Sequence, residues 1–139
     1  MIPTEHRAAD STPLTTDAQI EARVRALVGR AVSRQLWLFL LDSDDVQLPV
    51  LMPVSGIPVS PGERDLEQWT TFVAGVVPST GARSLVAVLE RYAPDRLGDA
   101  DRAWARLMRD GTTAAGVTLR AVVLSHSRGV RLLAEEDYA

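Results

Sequence analysis

Apolar positions recur along the chain with two different periods, and the switches between them outline the elements. Ile20, Val24, Leu27, Val28 and Ala31 recur at helical spacing, with Glu21, Arg23, Arg25 and Arg30 on the other faces, which predicts an amphipathic helix. Thr15 or Thr16 is placed to cap it. The run Leu36-Trp-Leu-Phe-Leu-Leu41 is too short for a helix. Asp42-Ser-Asp-Asp45 is a turn signal, and Val46-Gln-Leu-Pro-Val-Leu-Met52 follows, so the three together predict a β-hairpin. Pro49 has no amide hydrogen for a ladder, so the second strand is expected to be an edge, or to bulge there.

Residues 55–62 read as a loop. Ser60 and Glu63 have the spacing of a capping box with Pro61 at the first helical position, and Leu66, Trp69, Phe72, Val73 and Val76 predict the buried face of a second helix that Pro78 and Gly81 end. Ser84–Leu89 predicts a central strand, and 91–98 a loop. Asp99 or Asp101 caps a third helix, whose inner face carries Ala103, Trp104, Leu107, Met108 and Ala115. Gly111 weakens that helix and Gly116 stops it. From Val117 to Leu124 the pattern alternates, placing Val117, Leu119, Ala121 and Val123 on one side. Val130–Leu133 predicts a last strand. The order is α-β-β-α-β-α-β-β: an α/β (α+β) domain with a mixed sheet of about five strands and about three helices. Residues 1–15 are expected to be a flexible tail, 16–134 one globular domain, and 135–139 a second tail.

Composition changes this picture mainly by exclusion. The chain has 139 residues, 46% of them hydrophobic and 24% charged, which suits one ordinary core. There is no cysteine, so thiolate catalysis, disulfides and Cys-ligated metal sites are impossible. A net charge of −3 gives no global field favouring nucleic acid. No apolar stretch approaches the roughly 20 residues of a membrane span, and the N-terminus lacks a signal-peptide core, so the expected location is cytoplasmic. All 15 basic residues are Arg, and Lys and Asn are absent, as a GC-rich bacterial genome would produce.

Candidate chemistry is sparse. Ser125-His-Ser-Arg-Gly129 follows an apolar run and resembles the nucleophile elbow of an α/β-hydrolase over about eight residues. No His follows Ser127, and His126 beside it would point to the opposite face of a strand, so Ser127 lacks a base. His6 lies in the tail. The plainer reading is a hairpin turn in which Gly129 takes a positive φ. Asp42-Ser-Asp-Asp45 fails as a calcium loop, because the sixth and twelfth positions hold Gln47 and Pro53. Trp37, Trp69 and Trp104 read as packing residues rather than a ligand cage. Glu90 ends a strand beside a loop, where α/β folds commonly place sites; with Arg91, Arg96, Asp99 and Asp101 it forms the candidate ligand-binding set.

The element order, read with Leu38-Phe-Leu-Leu-Asp42, Pro53-Val-Ser-Gly56 and Gly98-Asp-Ala-Asp-Arg102, resembles a JAB/MPN domain of the RadC-like kind from about 36 to 133. That resemblance places Asp101 on the zinc-ligand Asp, Gly98 on the Ser before it, and Val88 and Glu90 on the two ligand His. The family's catalytic Glu is expected near the second strand, yet no acid occurs between Asp45 and Glu63. It therefore implies the fold of a degenerate member, without the zinc-ligand histidines and without the hydrolase.

The expectation is a non-catalytic domain working through a protein partner or self-association, a homodimer being one form of the latter, with no cofactor, no metal, no nucleic acid and no membrane. The alternatives are a small-ligand binder or enzyme using loop 90–101, or a vestigial JAB/MPN-type metal domain.

Overall fold

The computed structural model of the chain describes residues 11–139. Helix α1 (Asp17–Leu27) begins where Thr16 Oγ1 accepts the Gln19 amide at 3.1 Å while the Gln19 side chain accepts the Thr16 amide at 2.9 Å. This reciprocal cap satisfies two otherwise orphaned donors. Strands β1 (Gln35–Leu41) and β2 (Gln47–Ser55) form the expected hairpin. Its turn is built by one side chain: Asp42 Oδ1 accepts the amides of Asp44 and Val46, and Asp45 takes a φ of 62°. Short polar residues tolerate that left-handed conformation.

Helix α2 (Glu63–Ser79) starts two residues later than the Ser60–Glu63 spacing predicts. Gly62 is its N-cap, and Asp65 Oδ2 accepts the Gly62 amide at 2.8 Å. Then come β3 (Ser84–Glu90), α3 (Asp99–Ala114), β4 (Thr118–His126), β5 (Gly129–Leu132) and a 3-10 turn (Glu135–Asp137). The five strands form one mixed sheet in the order β2-β1-β3-β4-β5. Only β3 and β4 run parallel, and α3 is the crossover that joins them. The α+β class and the element order agree with the sequence reading.

Helices cover the sheet on both faces. Leu36, Leu38, Leu40, Leu85, Ala87, Leu89, Val122 and Leu124 pack with Trp69, Val73, Trp104 and Met108 of α2 and α3. Phe39, Leu41, Val86, Val88, Ala121 and Val123 pack with Ile20 and Val24 of α1. All seven residues of β3 are buried, which is why its sequence reads as a continuous apolar run rather than an alternation.

Irregularities correct the sequence reading. β2 is an edge strand and also bulges at Pro49: Leu41 pairs with Gln47 but Phe39 with Leu51, so three residues of β2 stand opposite Leu40. In β4 the register slips as well, with Leu85 opposite Leu119 but Val86 opposite Ala121. The extra residue, Arg120, reverses the alternation. Val117 and Leu119 consequently pack on the α2/α3 side while Ala121 and Val123 pack toward α1, so the four do not share a side. Leu66, expected on the buried face of α2, is exposed, and Val77 is buried one turn beyond Val73.

Gly111 sits where α2 and α3 touch. A Cβ there would come within 2.5 Å of Trp69 Cδ1 and 2.8 Å of Thr70 Oγ1, so the gap in helix propensity is what lets the helices approach. At the C-terminus Tyr138 is buried against the core, and the Arg109 guanidinium lies 5.7 Å above its ring centroid. Of the N-terminal tail expected over 1–15, residues 1–10, His6 among them, lie outside the described residues. Leu14 is buried, and its amide donates to the Asp45 carbonyl at 2.8 Å.

Candidate functional site at the end of the parallel strands

The residues marked by sequence gather where β3 ends and α3 begins, but they divide between the two faces of the sheet. Glu90 turns toward α1. Its Oε2 accepts the amides of Val32 (2.8 Å) and Ser33 (3.0 Å), and its Oε1 accepts Gln35 Nε2 (2.9 Å) and Trp37 Nε1 (2.8 Å). Burial on its own would push the Glu90 carboxyl up; the donors from Trp37, Val32, Ser33 and Gln35 outweigh it and hold the group below its ordinary value. No positive charge takes part. Four dipoles hold a buried anion, and in doing so they tie the segment before β1 to the end of β3.

Arg91 turns to the other face. Its Nε and Nη2 donate to Asp101 Oδ1 and Oδ2, both at 3.0 Å, in a bidentate pair. Nη1 donates to the Ala93 carbonyl at 2.9 Å and Nη2 to the Arg96 carbonyl at 3.0 Å. Asp101 Oδ2 also accepts the Gly98 amide at 2.9 Å, which closes the N-terminus of α3. Burial would raise the Asp101 carboxyl; the Arg91 hydrogen bonds, the Gly98 amide and the charges of Arg91 and Arg34 prevail and lower it. The pair thus folds loop 91–98 around itself.

Arg96 and Asp99 stand apart from this arrangement. Both side chains are exposed, and Asp99 makes only a 3.4 Å contact with Arg102. Of the five candidate residues, the structure joins Arg91 to Asp101, sets Glu90 behind them on the opposite face, and leaves Arg96 and Asp99 in solvent. The positions that the JAB/MPN resemblance pairs are likewise divided: Val88 and Glu90 address α1, Asp101 the other side. Among the described residues, no group of three or more His, Cys, Asp or Glu is gathered as a metal site requires.

Sequence reasoning missed two contributors. Arg34 precedes β1 on the same face as Leu36, close enough to Asp101 to influence its charge. Its Nη1 is buried and has no hydrogen-bond partner among the described residues. Ser125 closes the rim from β4: its Oγ donates to the Gly29 carbonyl at 2.6 Å, and its own carbonyl accepts the Arg91 amide at 3.1 Å. The sequence marks Ser125 only as part of the Ser-His-Ser-Arg-Gly segment, and nothing local marks Arg34.

The Ser-His-Ser-Arg-Gly segment is a hairpin turn. His126 pairs with Gly129, Ser127 and Arg128 form the tip, and Gly129 takes a φ of 155°. The His126 Nδ1 accepts the Arg128 amide at 3.2 Å, so that nitrogen is turned to the backbone and away from Ser127 Oγ. Burial lowers the His126 pKa; nearby Asp95 opposes this, and Arg91 and Arg131 reinforce it. The Ser127 amide donates to the Ala93 carbonyl at 2.9 Å, fastening the turn to loop 91–98.

These contacts form a hydrogen-bonded rim on which two large apolar side chains remain outside. Val32 is 79% exposed and Tyr92 74% exposed, although the Val32 amide is bonded to Glu90 and Tyr92 directly follows Arg91. A recess of about 900 Å³ lies at the other end of β4, and of its charged residues Arg120 already pairs with Asp17 at 3.1 Å and Arg109 with Asp110 at 2.8 Å. Among the described residues no helix is long and apolar enough to cross a membrane. No family model matches the chain, and no curated protein matches it at a significant level.

Proposed function

We propose that the chain is a non-catalytic module that acts through contact with another protein chain, and that the contact surface is the rim carrying Tyr92 and Val32. The carrying observation is the pairing of exposed anchors with a locked support. Tyr92 and Val32 stand in water, while Glu90, which holds the Val32 amide, and Arg91, which precedes Tyr92, each make four hydrogen bonds. Tyrosine is enriched at interface hot spots, and a rigid support lowers the ordering cost of association. Glu90, Arg91 and Asp101 act here as framework, which accounts for their burial without a reaction.

The sheet edges are poor places for such a contact. β2 carries Pro49 and Pro53, and on β5 the Leu132 amide is already taken by Glu21 Oε2 at 3.0 Å. A second copy of the chain is the first partner to test. Sedimentation velocity over low to high micromolar concentration should show a reversible dimer that Tyr92→Ala and Val32→Ser weaken while the far-UV spectrum stays unchanged. A monomer at every concentration would remove self-association. If a photo-crosslinker at position 92 then also captures no defined chain in a Val32-dependent manner, the rim reading fails altogether.

A further inference from the structure

A second feature is independent of the rim. A recess of about 290 Å³ opens between α2, α3 and the hairpin, lined by Leu36, Val54, Ile57, Asp65, Gln68, Trp69, Phe72 and Trp104. The chain has only three Trp, two Tyr and two Phe, and three of these side chains meet here. Asp65, Gln68, Trp69 and Phe72 reach the recess as one stripe of α2.

The polarity of the recess is one-sided. Trp69 Nε1 donates to Thr112 Oγ1 at 3.1 Å, and Trp104 Nε1 reaches the carbonyls of Pro58 (3.2 Å) and Val59 (3.0 Å). Both indole donors are thereby spent, and both rings are fixed. Asp65 is the only charged residue in the lining. Its Oδ2 holds the Gly62 amide, and among the described residues Oδ1 accepts no hydrogen bond. An anion would meet a carboxylate and no cation. A neutral apolar group would fill the floor and leave Asp65 Oδ1 without a partner.

We propose that this recess binds a small free organic ammonium, a protonated or methylated amine on a short apolar body. Aromatic rings attract such a cation electrostatically, and the carboxylate supplies the opposite charge, while Leu36, Val54 and Ile57 cover the apolar part. The three aromatics and one acid are individually unremarkable in sequence; convergence on one opening gives them a common use.

The test titrates the full chain with phenyltrimethylammonium and with tert-butylbenzene, its neutral isostere, following the indole N–H resonances of Trp69 and Trp104. The expected result is saturable binding of the cation, about threefold to thirtyfold tighter than the isostere. Asp65→Asn retains an oxygen for the Gly62 amide, so it should keep the fold and abolish most of that preference; Phe72→Leu should weaken the cation more than the isostere. Equal binding of both probes, no saturable binding of either, or a preference that survives Asp65→Asn overturns the proposal. A trimethyllysine peptide is the third arm: if it binds and the free cation does not, the free-ligand assignment is wrong. None of these outcomes depends on Tyr92 or Val32, so failure here and failure of the rim contact are distinguishable.

Discussion

Glu90 and Arg91 are neighbours in sequence, both bury a charge, and the two faces of the sheet satisfy them by different means. On the α1 face four neutral donors surround a carboxylate. On the α3 face a guanidinium meets a carboxylate and two carbonyls. The first arrangement ties together segments far apart in the chain, Val32 and Glu90 being 58 residues apart. The second is local, Arg91 and Asp101 being ten residues apart. A buried ion pair is most costly when half of it is removed, whereas a dipole-held anion loses its partners one at a time.

The largest effect should come from halving the pair. Arg91→Ala strands Asp101 and unties the Ala93 and Arg96 carbonyls, and it should lower stability by about 3–5 kcal/mol in denaturant titration. Adding Asp101→Asn should recover part of that loss, because no unpaired buried charge then remains. No recovery would mean that the loop, and not the charge, dominates.

On the other face, Glu90→Gln keeps the shape but turns an amide donor toward existing donors. A loss of about 1–3 kcal/mol is expected, smaller than that of Arg91→Ala. A reversed ranking in the same titration would break the comparison. Gly111→Ala, at the contact of α2 with α3, tests packing without removing a charge. The gain of about 1 kcal/mol in helix propensity is outweighed by overpacking against Trp69 and Thr70 of about 1–3 kcal/mol, so a net loss should appear in the melting temperature.

Acid separates the groups further. Glu90, Asp101 and His126 all have folded pKa values below their ordinary ones. In each case the unfolded chain binds protons at a pH where the folded chain does not, so each contribution falls as pH decreases. The His126 contribution starts to fall near its ordinary value of 6.5, those of Glu90 near 4.5 and Asp101 near 3.8. Melting temperature against pH should therefore decline in two stages. His126→Gln should remove the upper stage, and Glu90→Gln should flatten part of the lower one. The smallest effect belongs to the exposed partner: Asp99→Asn should leave the melting temperature unchanged within error.

The legible parts of the fold are those carried by local chemistry. The helical stripe of α1 and its Thr16 cap, the Asp42 turn, the Pro49 irregularity and the Gly129 turn each depend on residues within a few positions of one another. What was illegible depends on partners distant in the chain. The slip at Arg120 has no sequence mark, because it arises from how β4 lies against β3. Leu66 has the right period for burial, but its side chain is left exposed at the edge of the buried face of α2. Loop 90–101 was identifiable as acidic and Arg-rich; the division of Glu90 and Asp101 between opposite faces was not.

The chain by itself determined its periods, turns and caps, together with the exclusion of every chemistry that requires cysteine, because these are properties of residue type and short spacing. Tertiary structure alone decided which charges are framework and which are surface. That assignment depends on desolvation and on donors brought from distant segments, and neither exists until the sheet has assembled between its helices.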